Sequence, residues 1–359
     1  RPRVYRSGDL GQALPSLATR LQSTGFQTVA MLPAGSNLAE TPGLVQGFQQ
    51  VLTFPPAPAP LAAHLAMNEV KARLGKNPLF FWLHLPGPGT PYVPPVTDFL
   101  EFLSDGHNLG RRLDLPVGDG DHLRDVLPPA AVNGPMRSPS FYLDAYDAAL
   151  RLMDTGAALV WKRLQEDHLD DGTILAFASV HGEALGEHGF WFCHGFTLHE
   201  EELTVPILIL GPGIRPRHES HGWISLMDLH PTLLHMVGQP TLSRSVEGSD
   251  LTARLTGRGP LPERPHYAAL LRPPFSRSVL NQGGMKLILA PPRPAAQSNP
   301  SWWSTETHRE LYDLVADPLE TTSIAAIRGT VSHEMEVWLS RHYPALPGTP
   351  PAKDRSRHR

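Results

Sequence analysis

Apolar positions along the chain alternate between two periods. Leu14, Leu17, Ala18 and Leu21 share one helical face, Pro15 suits a first turn and Gly25 follows, so residues 15–23 are expected to be helical. Residues 26–32 (FQTVAML) read as a strand. A second helical pattern covers 61–74 and stops at Gly75. The run 79–85 (LFFWLHL) is continuously apolar, as in strands buried on both faces. The longest helical pattern spans 144–167, with Tyr146, Ala149, Leu150, Met153, Gly156, Ala157, Val160, Trp161 and Leu164 on one face. Asp171-Gly172 makes a turn into a strand at 173–178 (TILAFA). Another strand at 205–210 (VPILIL) ends at Gly211-Pro212-Gly213, and a helix at 228–237 carries Pro231 early and Gly238 just past its end. Helices alternating with apolar strands predict an α/β domain with a mostly parallel sheet.

The pattern weakens in two places. Residues 90–140 are rich in Pro, Gly and Asp, with a weak helix near 97–104, and read as an insertion over the sheet. Composition shifts again at 248–265. Short strands at 267–271, 278–280 and 285–289 and a closing helix at 331–342 then predict a small C-terminal α+β subdomain. The expected division is 1–255, 256–343, and a polar, Pro-rich, basic and disordered tail at 344–359. No internal repeat is present.

Composition narrows the function. Of 359 residues, 41% are apolar, enough for a sizeable core, while the formal net charge of -4 disfavours a nucleic-acid surface. No apolar run approaches the roughly 18 residues that span a bilayer. A single cysteine, Cys193, excludes an internal disulfide framework and a structural zinc site built on cysteines. The chain opens at Arg1 with no charged-then-apolar leader, so it is expected to be processed or part of something longer.

The densest polar cluster follows the 173–178 strand. It runs Ser179-Val180-His181-Gly182-Glu183, Gly186-Glu187-His188-Gly189, His194-Gly195 and His199-Glu200-Glu201-Glu202. Ligands of parallel α/β sheets bind outside the carboxyl ends of the strands, and imidazoles and carboxylates there serve as metal ligands or proton carriers. The plainer alternative is a solvated loop. The four histidines could also hold zinc, although their spacing matches no compact zinc motif.

The order of these residues adds more. The stretch SVHGEALGEHGFWFCHGFTLHEEELTVPILILGPG resembles the sulfatase family of the alkaline phosphatase superfamily. There a strand runs into Ser-Asp-His-Gly-Glu, a Gly-Glu-His-Gly loop, a His-Gly pair and a Glu-Glu stretch before a Val-Pro strand ending in Gly-Pro-Gly. LPSLATRLQSTGFQT at 14–28, DLHPTLLHMVG at 228–238 and EGSDL at 247–251 are similar to further family segments. So are Gly284-Met285-Lys286-Leu287 and Glu310-Leu311-Tyr312-Asp313-Leu314 with Asp317-Pro318 and Glu320. The resemblance covers roughly residues 8–342. It implies an alkaline-phosphatase-like α/β sandwich, with the family's first strand absent from this chain, and hydrolysis of sulfate esters at a divalent-metal site.

Displacement at a tetrahedral anion needs a nucleophile, a cation on the non-bridging oxygens and an acid for the leaving group. In the family a formylglycine from a C/S-x-P-x-R motif supplies the first, and carboxylates hold the metal, usually calcium. No such motif occurs among the 359 residues, and Cys193 is followed by His194-Gly195-Phe196-Thr197. The family's early Asp-Asp pair is also absent. Val180 stands where the later metal pair has Asp, leaving His181 as the remnant ligand, and a lone imidazole cannot replace the six to eight oxygens of calcium. Where relatives have a His-containing Asp-Pro-His-x-Pro-Tyr segment, this chain has Gly87-Pro88-Gly89-Thr90-Pro91-Tyr92.

By resemblance, then, His194 is expected to contact the anion, His181 to be a metal-site remnant, and Tyr92, Glu183 and His188 to line the substrate rim. Glu201 and Glu202 are expected to cap the 205–210 strand or face water. The partner would be a small-molecule or glycan sulfate ester, without nucleic acid or a membrane span. The chain as it stands is expected to be inactive and to self-associate unless an upstream segment completes the sheet. The alternatives are a binding or scaffolding pseudoenzyme and a phosphate-ester hydrolase or transferase of the same superfamily. Family members are often periplasmic, secreted or lysosomal.

Overall fold

A computed structural model describes residues 15–36, 38–103, 115–118, 124–216, 222–239, 248–270, 277–280, 283–290 and 307–342. Ser104, Glu247, Leu271, most of 104–123 and the 344–359 tail, all named in the sequence expectations, lie outside these residues.

In chain order the first elements are α1 (Leu17–Ser23), β1 (Gln27–Pro33), α2 (Pro42–Val45), β2 (Gln50–Phe54), α3 (Ala59–Ala72), β3 (Leu79–Leu83) and α4 (Val96–Phe102). The long α5 (Pro139–Glu166), β4 (Leu175–Ala178), β5 (Ala184–Leu185), β6 (Trp191–Cys193), α6 (Glu200–Leu203) and β7 (Ile207–Leu210) follow. The chain continues with α7 (Leu229–Met236), α8 (Thr252–Leu255), β8 (His266–Ala269), β9 (Arg277–Leu280), β10 (Met285–Ala290), β11 (His308–Asp313) and α9 (Gly329–His342). Most predicted elements lie within a few residues of where the pattern put them. The α1 start is set by Ser16, whose hydroxyl accepts the Thr19 N–H.

Strands β2, β1 and β3 form a parallel sheet in that order, with Val29 opposite Gln50 and Gln27 opposite Leu79. Met31, Phe54, Ala62 and Ala66 pack α3 onto it. Strands β4 and β7, expected in the parallel array, instead pair antiparallel with each other, Leu175 opposite Leu210. Among the described residues β3 pairs only with β1, and β4 only with β7, so each keeps one edge without a strand against it. These strands were expected to be buried on both faces, but β3 is half-buried throughout and Leu208 of β7 is 49% exposed.

The second half is an antiparallel meander, β11-β10-β9-β8, with Leu287 opposite both Val279 and Leu311. Val279, Leu287, Leu289 and Leu311 meet Met335 and Leu339 of α9. The opposite face of this sheet, with Ile288 and Tyr312, packs on Leu198. It therefore backs the His- and Glu-rich segment that follows β4.

Candidate functional site

The segment after β4 folds back on itself. Ser179, Val180 and His181 leave the strand, β5 and β6 form a short bulged hairpin around the turn at 187–189, and His194 emerges beyond β6. Gly186 sits at φ +135, with the Trp191 ring where a Cβ would go, so the hairpin closes only with glycine there. Gly182 donates its N–H to the Glu202 carbonyl at 2.9 Å. A Cβ on Gly182 would come within 2.0 Å of the Glu201 carbonyl oxygen, so this backbone lies directly against α6.

The hairpin brings His181 and His194 together, their rings stacked at 3.9 Å between centroids. Below them lies Glu183, 8% exposed, which accepts the His194 Nδ1–H at 2.7 Å and the Tyr92 hydroxyl at 2.5 Å. His181 Nδ1 donates to its neighbouring Gly182 carbonyl at 2.7 Å. The His194 side chain is 41% exposed and His181 is also exposed, so the pair forms the open face and Glu183 its floor. Burial and the adjacent Glu183 charge raise the Tyr92 phenol well above its ordinary range, which keeps it protonated as a donor.

This placement corrects part of the expected rim. Tyr92 is 2% exposed and packs edge-on against Tyr146 and Phe192, so it lies beneath the site, not on its border. Glu183 is a floor residue for the same reason.

His188 is also an interior group. At φ +53, in the left-handed region, its ring turns inward, where Nδ1 donates to Glu201 at 2.9 Å and Nε2 to the Glu320 carbonyl at 3.0 Å. Burial alone would lower its pKa, but bonds to two acceptors outweigh that and push it up to about 9. His188 stacks on His199 at 3.6 Å with the planes 6° apart. His199 in turn donates Nε2–H to Glu310 at 2.8 Å. Burial works against charge on Glu310, yet its bonds from His199 and His308 hold its carboxyl well below the usual range.

Glu201 and Glu202 were expected to cap a strand or face water. They do neither. Glu201 pairs with His188, and Glu202, 5% exposed, accepts the backbone N–H groups of Gly195, Phe196 and Thr197 and the Thr197 hydroxyl. Its carboxylate replaces the water a solvated loop would use, and burial raises its pKa although these donors oppose the shift. Lys286, 1% exposed on β10, donates to Glu200 at 2.7 Å and forms an ion pair with Glu320 at 2.9 Å. In the sequence Lys286, Glu310 and Glu320 stand in family-like segments without a role of their own. A lysine inside MKLILA was the available signal, because a buried ammonium demands acidic partners.

Among the described residues, two groups of side chains could hold a cation: His181, Glu183 and His194, and His188, His199 and Glu201. The first does not suit a calcium ion. Val180 is apolar and 71% exposed, and the group offers two nitrogens and one carboxylate where calcium takes oxygens.

The sulfatase family profile matches residues 2–239, and the chain belongs to the sulfatase family. Among its relatives is arylsulfatase K of Gallus gallus, 29% identical over 164 residues, which are 45% of this chain and 29% of that protein. Choline-sulfatase of Rhizobium meliloti (strain 1021) is 29% identical over 185 residues, 50% of this chain and 32% of that protein. The matched region thus spans less than a third of either relative's length. Among solved structures, the phosphonate monoester hydrolase of Agrobacterium radiobacter superposes with a TM-score of 0.69 at 16% identity, covering 94% of this chain and 81% of that one. A protein solved with its substrate D-glucosamine-2-N,6-O-disulfate superposes at 0.66 and 18% identity, covering 91% and 81%. These likenesses establish the alkaline-phosphatase-like α/β fold.

Proposed function

We propose that the chain recognises sulfate esters at the carboxyl end of β4 through His181 and His194, and that the residues it carries do not hydrolyse them. The observation behind recognition is the stacked, exposed imidazole pair over a buried carboxylate. Glu183 takes the Nδ1–H of His194 and fixes the ring, so an anion contact runs through Nε2. The observation behind inactivity is Val180, which stands where the resemblance implies a metal-binding acid. The donors that remain do not suit a calcium ion. The family membership and the exposed pair support a binding domain of sulfatase descent, with the β8–β11 sheet and α9 as its C-terminal subdomain.

Calorimetry with 4-nitrophenyl sulfate, alongside absorbance of released nitrophenolate, tests this. Expected are saturable binding, at least about tenfold weaker binding in His194→Ala, as for loss of one charged contact, and no nitrophenolate above buffer. Nitrophenolate release that disappears in His194→Ala would establish a hydrolase. Absence of binding would remove the recognition half.

A further inference from the structure

We propose that His188, His199 and Glu201 form a buried site for zinc or a similar nitrogen-preferring divalent ion, separate from the exposed pair. This does not depend on the sulfate-ester reading. Each of the three offers one donor atom, and the donors lie within 4.8 Å of one another. Two imidazoles and a carboxylate are a zinc donor set, and a fourth tetrahedral position remains for water.

The groups around the cluster suit a metal as well. A metal-bound histidine usually donates its other ring N–H to a carboxylate or a backbone carbonyl. Here His188 gives Nε2–H to the Glu320 carbonyl, and His199 gives Nε2–H to Glu310. Both rings are therefore already held as bound histidines are held, each with Nδ1 as its remaining donor.

A second, independent feature is an unsatisfied nitrogen. His199 is 5% exposed, and its Nδ1 is buried with no hydrogen-bond partner among the described residues. Buried polar atoms are nearly always satisfied. With Nε2 protonated toward Glu310, Nδ1 is a lone pair in want of a donor or a cation. His188 supplies neither, since its own Nδ1–H is directed at Glu201. A divalent ion between Glu201 and the two Nδ1 atoms would satisfy His199. It would displace the His188 Nδ1 proton to solvent, and the stacked rings would tilt so that their lone pairs converge. The ion would tie the turn at 187–189 to α6, and His199 would still link this segment to β11 through Glu310.

The test uses the full chain, stripped with chelator and dialysed against zinc, with bound metal read by 4-(2-pyridylazo)resorcinol and cobalt substitution read by visible absorbance. One zinc per chain is expected, with intense tetrahedral cobalt bands. Glu201→Gln keeps a neutral acceptor for His188 but loses the anionic ligand, and is expected to weaken zinc roughly 100-fold. His199→Ala should do the same, and Glu201→Gln decides alone if that variant does not fold. His181→Ala should bind as the parent does. The site is overturned if the parent retains no zinc, if Glu201→Gln retains it equally, or if His181→Ala loses it.

Discussion

Two stacked histidine pairs, built from one segment of chain, face opposite fates. His181 and His194 lie open to solvent over a single buried carboxylate. His188 and His199 lie inside, ringed by Glu201, Glu310 and Glu320 and backed by the Lys286 ammonium. The residue types are the same, so burial makes the difference. In the open pair both rings reach solvent. In the buried pair the His199–Glu310 contact and the pairing of Lys286 with Glu200 and Glu320 hold the loop to the β8–β11 sheet. A motif of His and Glu therefore does not say whether its rings face solvent or the interior; the element packed behind it does.

The largest test of the bracing half is Lys286→Met. It leaves Glu320 and Glu200 without their ammonium, and removing one partner of a buried pair costs about 3–5 kcal/mol. Urea unfolding should show that loss, and adding Glu320→Leu should recover part of it. If the single change costs under about 1 kcal/mol, as for an exposed pair, the lysine does not brace the loop.

Next comes Glu202→Ala, which removes the acceptor shared by the 195–197 backbone. A destabilisation of about 1–3 kcal/mol is expected by the same measurement, with faster amide exchange at Gly195, Phe196 and Thr197. Unchanged exchange there would show the loop is positioned by other means.

Acid should blur the distinction. Burial lowers the pKa of His84, His230 and His266, three histidines outside both pairs. The unfolded chain, with histidines near pKa 6.5, binds protons at a pH where the folded chain does not. Stability is therefore expected to fall as pH drops below about 6.5, by about 1.4 kcal/mol for every tenfold by which folding weakens a ring's hold on its proton. Denaturation midpoints compared between pH 6.5 and pH 5 check the sign, because the raised pKa of His188 adds stability on acidification only above that range. A midpoint that rises on acidification would contradict the burial of these rings as neutral groups.

The smallest effect belongs to the open pair. His181→Ala should change stability by no more than about 0.5 kcal/mol, because the side chain is exposed and its one bond is to its neighbour's carbonyl. A loss above about 1.5 kcal/mol, beyond what an exposed side chain contributes, would make this pair a brace as well.

The framework was legible in the sequence where periodicity is local. The helices α1, α3 and α5 and the strands β1, β3 and β10 repeat apolar residues at intervals the chain itself displays. Strand β2 went unread because QVLTF is short and largely exposed, so its partner β1 defines it more than its own pattern does. The antiparallel pairing of β4 with β7 is a tertiary choice that helix–strand alternation does not encode. Within the site, His181 and His194 were legible from their place after a strand. The inner cluster was not, because its bonds span 111 residues from His199 to Glu310 and 86 from Glu200 to Lys286. A run of three glutamates reads as a solvated patch until the partners arrive from a distant sheet.

Val180 marks how the molecule can drift. Its side chain is 71% exposed, so no packing depends on it, whereas Gly182, two residues on, has no room for a single added carbon. The two positions have opposite histories open to them. At 182 substitution is closed off by the backbone of α6. At 180 the chain can exchange an apolar side chain for an acid without disturbing a neighbour, so a carboxylate can be introduced at this site by a single substitution.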